Sequence, residues 1–123
     1  MTIEDYFKGL ADRTRLRMLN LLAQGELCGC DVQAVLDLSQ SNVSRHLNYL
    51  KRAGLVADRR AGYRVFYRLA DSREHSRELL FEYLRDAFSR DPVFARDSKS
   101  LKRAIRDGAC TLSEGRRAAP RHG

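Results

Sequence analysis

The chain has 123 residues, 43% of them hydrophobic and 32% charged, and a net charge of +7. That suits one soluble domain with a modest core plus a tail. No apolar run approaches the roughly 20 residues of a membrane-spanning helix, and the N-terminus Met1-Thr-Ile-Glu-Asp5 is acidic where a signal peptide is basic and then apolar, so a cytoplasmic protein with no membrane partner is expected.

Ile3, Tyr6, Phe7 and Leu10 recur at helical spacing and predict a short first helix. Asp12 is placed to cap a second helix carrying Leu16, Met18, Leu19, Leu21 and Leu22, with Gly25 as its stop. Leu27-Cys28-Gly29-Cys30-Asp31 opens a third, short helix with Val32, Val35 and Leu36 facing inward. Ser39 or Ser41 caps a fourth, from Asn42 to Arg52, whose Val43, Leu47 and Leu50 face the core; Ala53-Gly54 ends it. The period then changes to that of strands: residues 55–60 and 63–69 predict a hairpin joined by Ala61-Gly62. A further amphipathic helix spans about Ser72 to Arg90 and stops at Asp91-Pro92. Leu101 and Ile105 mark one more short helix, and from Gly108 the composition reads as a flexible tail. The expected division is 1–91 for a folded DNA-binding and dimerisation domain and 92–123 for an extension.

The order of helices followed by a hairpin and a helix predicts a winged helix-turn-helix, mainly α with a β-hairpin wing (α+β). Charge points the same way. Residues 39–69 hold seven Lys/Arg (Arg45, Lys51, Arg52, Arg59, Arg60, Arg64, Arg68) against Asp58 alone, a concentration suited to a polyanion. In a helix-turn-helix the first turns of the second helix meet base edges in the major groove. Gln40, Ser41, Asn42, Ser44 and Arg45 occupy that stretch, and Gln/Asn pair with adenine, Arg with guanine, Ser with base or phosphate. His46 is read as a backbone-phosphate contact or a surface residue, and Arg59, Arg60 and Arg64 as the basic wing. A solvated basic face would explain the charge by itself, but a polar helix face, a basic hairpin and one acid between them favour double-stranded DNA as the partner.

Cys28, Cys30 and Cys110 are an odd number of cysteines, and in a reducing cytosol thiols bind or react rather than form structural disulfides. Thiolates are soft ligands suited to As(III), Sb(III), Cd(II), Pb(II) and Zn(II). On a regular helix residues two apart point about 200° from each other, so a Cys-X-Cys chelate needs a bend, which Gly29 makes inexpensive. The basic second helix (Arg13, Arg15, Arg17) is expected to favour thiolates if it lies within reach. No Cys-X-X-Cys, phosphate loop or catalytic His/Asp set is present, and no enzyme is expected.

Residues 7–22 (FKGLADRTRLRMLNLL), 38–56 (LSQSNVSRHLNYLKRAGLV) and 59–69 (RRAGYRVFYRL) together resemble the ArsR/SmtB family of winged-helix, metal(loid)-responsive repressors. Arg13 stands where many relatives have proline. Glu26-Leu-Cys-Gly-Cys-Asp31 resembles the Glu-Leu-Cys-Val-Cys-Asp/Glu motif of the arsenic-responsive type and of some cadmium/lead-responsive members. The resemblance implies an operator-binding homodimer, held by the first helix (Tyr6, Phe7, Leu10) and the last long helix (Leu80, Tyr83, Leu84, Ala87, Phe88), and released when As(III) or Sb(III) binds. Cd(II)/Pb(II) or thiol oxidation are the alternative signals. It also implies a three-thiolate pyramid; the enterobacterial third cysteine is replaced by Gln33, which leaves Cys110 as the candidate beside Cys28 and Cys30. The family's second zinc site is represented only by His75 and Glu78, and is expected to be absent.

Overall fold

The computed structural model describes residues 1–71 and 74–107. Its helices start where side chains satisfy their first amides. Helix α1 (Ile3–Leu10) begins with a reciprocal box: Thr2 Oγ1 accepts from Asp5 N at 3.1 Å and Asp5 Oδ2 accepts from Thr2 N at 3.0 Å. Helix α2 (Arg13–Leu22) is capped by Asp12, which accepts from Arg15 N at 3.0 Å. Strand β1 (Leu27–Cys28) leads into helix α3 (Gly29–Leu36), and helix α4 (Gln40–Arg52) follows. The cap of α4 is Ser39, accepting from Asn42 N at 3.2 Å, so the helix starts two residues before the expected Asn42. It ends at Gly54, whose φ of +83° suits a residue without a Cβ.

The wing consists of β2 (Val56–Ala61) and β3 (Arg64–Leu69), antiparallel from Val56↔Leu69 to Ala61↔Arg64. That register makes Gly62-Tyr63 the turn, rather than Ala61-Gly62. A two-residue hairpin turn needs a positive φ at its first central position, and Gly62 supplies +66°. Strand β1 adds a third, unexpected strand, pairing Leu27↔Tyr67 and Cys28↔Phe66 in the order β1-β3-β2. Two residues are too few to show an alternating pattern, so this strand is invisible to periodicity.

Helices α5 (His75–Ser89) and α6 (Pro92–Asp107) close the fold. One buried cluster joins Met18, Leu19 and Leu21 of α2 to Leu47 and Leu50 of α4, Phe81 and Leu84 of α5, and Phe94 and Leu101 of α6. Helix α6 therefore differs from the expected short helix: it has 16 residues and contributes to the core. Its seam with α2 is partly polar. Arg17 grips Asp97 through two bonds (2.7 and 3.0 Å), Asn20 Nδ2 donates to the Phe94 carbonyl at 3.0 Å, and Gln24 Nε2 donates to Ser98 Oγ at 2.7 Å. Among the described residues no helix is long and apolar enough to cross a membrane.

Of the apolar residues expected at a dimer interface, Tyr6, Leu84 and Phe88 are core residues of this subunit. Phe7 and Tyr83 are exposed, as are Ile3 and Leu79, so spare apolar surface exists on α1 and α5 but on partly different side chains.

Candidate DNA-reading face and thiol cleft

Helices α3 and α4 meet at a tight corner. Asp37 caps α3 in the left-handed region (φ 56°), and Ser39 starts α4 two residues on. This turns the first residues of α4 outward. Gln40, Ser41, Ser44 and Arg45 are exposed, and Asn42 is half-buried. Arg45 Nη2 donates to Asn42 Oδ1 at 2.6 Å, which fixes both side chains on one exposed strip. Val43, Leu47 and Leu50 hold the opposite face in the core.

His46 faces inward. Its Nδ1 lies 3.4 Å from Arg15 Nη1 and 3.9 Å from Asp12 Oδ2, and its side chain is 16% exposed. Burial pushes its imidazole below the ordinary histidine value, against the opposing pull of Asp12. Arg15 in turn lies over the Tyr49 ring (4.1 Å) and donates to the Lys8 and Gly9 carbonyls. His46 thus ties the reading helix to the α1–α2 corner.

The three wing arginines have distinct environments. Arg59 makes a bidentate pair with Glu26 (2.6 and 2.9 Å) and lies over Phe66, bracing the wing against the loop before β1. Arg60 is exposed. Arg64 stacks on Tyr63 (4.9 Å) and donates to its hydroxyl at 3.0 Å, so these two form the hairpin tip. Tyr63, 81% exposed, was missed by sequence reasoning. The turn register, which places it next to Gly62 at the tip, is what reveals it.

Cys28 and Cys30 flank the start of α3. Cys28 is its N-cap, with extended backbone (φ −71°, ψ 149°), and Gly29 is the first helical residue. The bend between the thiols is therefore made by Cys28; Gly29 does not use a positive φ. A Cβ on Gly29 would meet Tyr67 Cε2 at an ordinary 3.5 Å. Asp31, 1% exposed, accepts from Cys28 N at 3.0 Å and locks this entrance. Cys28 is a buried free thiol, and Cys30 is disulfide-bonded. Binding of a metalloid at this pair needs the reduced chain. Cys110 lies outside the described residues.

Both cysteines line an open cleft of about 380 Å³. Gln40 and Ser44 of α4 line a second side of it, and Tyr63 and Arg64 of the wing a third. Gln33 also faces it. The basic residues of α2 are elsewhere: Arg13 pairs with Asp91, Arg15 with the α1 carbonyls and Arg17 with Asp97. They do not line the cleft, so the expected support of the thiolates by α2 is not seen. Two cysteines lining one cleft supply, once both are thiols, donors that suit a soft, thiophilic ion; among the described residues no group of three candidate ligands occurs.

A profile described as "Bacterial regulatory protein, arsR family" matches residues 12–58, which run from the α2 cap through the reading helix into the wing. The solved homodimeric winged helix-turn-helix DNA-binding domain Mb0332 of Mycobacterium bovis, a possible ArsR-family regulator, superimposes with a TM-score of 0.61 at 33% identity, covering 69% of this chain and 76% of that one. The chain belongs to the arsR family. Its fold is the family's winged helix. The arsenic resistance transcriptional regulator ArsR1 of Pseudomonas putida is 55% identical over 64 residues, 51% of this chain and 50% of that protein. The arsenical resistance operon repressor of Escherichia coli is 52% identical over 65 residues, covering 52% and 56%. The arsR-family chain thus spans about half the length of these curated relatives. The relatives are regulators rather than enzymes.

Proposed function

We propose that this arsR-family chain is a transcriptional repressor that binds operator DNA as a homodimer in the cytoplasm. It is released when As(III) or Sb(III) takes the thiolates of Cys28 and Cys30, with Cys110 as the third donor. The similarity to two arsenic-resistance regulators supports the metalloid. Softer divalent ions, Cd(II) or Pb(II), compete for the same donor chemistry. In DNA recognition Gln40, Ser41, Asn42, Ser44 and Arg45 read bases, while Arg60 and Arg64 neutralise phosphates. Arg59 and His46 position the wing and the reading helix.

One observation carries the reading: Cys28 and Cys30 share a cleft with Gln40 and Ser44 of the reading helix and with Arg64 of the wing. A ligand there changes the spacing of the DNA-facing parts directly. A hundredfold loss of DNA affinity takes only about 2.7 kcal/mol of coupling, within the usual range for linked sites.

The decisive variants are Cys28→Ser and Cys30→Ser, each expected to keep DNA binding and lose release by arsenite in a reduced sample. Release that survives in both variants contradicts the thiol reading. A second reading, thiol oxidation as the signal, is favoured by the disulfide at Cys30. It predicts release by peroxide or polysulfide and none by arsenite.

A further inference from the structure

Inorganic arsenic bound by sulfur is an atom-sized guest, yet the thiol cleft measures about 380 Å³. That volume falls within the roughly 300–1,000 Å³ of clefts that hold small organic molecules. Its wall beside the thiols is apolar and aromatic: Val43 and Leu47 from α4, Val65 and Tyr67 from β3. Such a wall gives nothing to a bare ion and is suited to a hydrocarbon group.

We infer that the cleft takes a trivalent organic arsenical, an arsenic(III) centre carrying one aryl group, in preference to inorganic arsenite. This rests on the thiol reading of the site. Once a thiol or phosphine reductant has opened the disulfide at Cys30, the exchange itself changes no oxidation state. An aryl-arsonous acid, R–As(OH)2, exchanges two As–O bonds for two As–S bonds to Cys28 and Cys30, both reduced. The two thiol protons leave with the two hydroxyls as water, and arsenic stays trivalent. Its third valence is already filled by carbon, so two thiolates complete the coordination, and what remains is to house R. The wall of Val43, Leu47, Val65 and Tyr67 does so, next to Gln40, Ser44 and Arg64 on the DNA-facing rim. The substituent then acts as a wedge between reading helix and wing.

The test uses the full chain, reduced with a phosphine, on a fluorescent duplex selected by the chain from a random pool. DNA release is read by anisotropy against phenylarsine oxide and sodium arsenite. Phenylarsine oxide should release DNA at about tenfold lower concentration, the gain expected when a ring's apolar surface leaves water. Val65→Phe, which fills the wall and leaves both thiols in place, should remove that advantage and leave arsenite release unchanged; Val65→Leu serves if the larger side chain does not fold. Equal or weaker release by the aryl compound overturns the inference, as does a loss of both responses in a Val65 variant that still binds DNA. Arsenite alone releasing DNA overturns this inference only. Failure of both arsenicals overturns the thiol reading and the inference with it.

Discussion

Cys28 and Cys30 do not stand in equivalent surroundings, although both line the cleft. Cys28 is buried at the helix entrance, held by the bond from its amide to the buried Asp31. Asp31→Ala should therefore weaken arsenite release without touching a sulfur, because the Cys28 backbone loses its anchor. An unchanged arsenite titration in that variant removes Asp31 from the account. On the DNA side, Arg45→Ala should relax sequence preference, while Arg64→Ala should weaken binding to all duplexes alike. Competition titrations with specific and scrambled duplexes measure both, and indistinguishable behaviour contradicts the division into base and phosphate contacts. His46 gives a pH signature. Burial lowers its folded-state value, so the unfolded chain binds the proton more readily. Its contribution to stability is complete above the unfolded value of about 6.5 and is lost as pH falls through the interval down to the lowered value. Thermal melts between pH 7.5 and 5 should show a smaller loss for His46→Gln than for the wild type; parallel losses would show that His46 does not carry it.

Helix α6 is the element on which sequence and structure differ most. The buried face of α6 includes Asp97 between Phe94 and Leu101, and that carboxylate is matched by Arg17 on α2. Read alone, a charged residue at a core position breaks the apolar rhythm, and its partner lies 80 positions away. Helix α4 was legible because Val43, Leu47 and Leu50 keep the 3-4 spacing without such an interruption. Strand β1 was not, since it has only two residues and pairs with residues distant in sequence, Leu27 with Tyr67 and Cys28 with Phe66. The exposure of Gln40, Ser41, Ser44 and Arg45 on α4 was readable from residue type and spacing. The inward turn of His46, the engagement of Arg59 by Glu26, and the tip position of Tyr63 depend on neighbours distant in sequence. The sequence division at residue 91 implies that truncation after Arg90 leaves a folded dimer. With α6 in the core the expected outcome is the opposite: loss of cooperative unfolding, because Phe94 and Leu101 leave an open face. Phe94→Ala in the full chain should cost about 3–5 kcal/mol in denaturant unfolding. A truncated chain with a wild-type melt would restore the division at 91.

Two such subunits, each with a reading helix and a basic wing, suit half-sites one helical turn apart, about 34–36 Å. The exposed Ile3, Phe7, Leu79 and Tyr83 on α1 and α5 supply the surface on which they would associate. Replacing Phe7 and Tyr83 together by serine should shift the chain toward monomer in analytical ultracentrifugation and weaken DNA binding with it. A dimer of unchanged strength would place the interface elsewhere. DNA affinity itself should fall steeply with salt, since each phosphate neutralised by Lys or Arg releases counterions; a flat double-logarithmic plot is incompatible with the basic face. The central claim joins that face to the thiols, and one measurement tests it most directly. Anisotropy of a selected fluorescent duplex bound by the reduced wild-type chain is followed as arsenite is added, with the Cys28→Ser and Cys30→Ser chains in parallel. The account predicts release from the wild type and continued binding by both variants; wild-type binding that persists through the arsenite titration would contradict it.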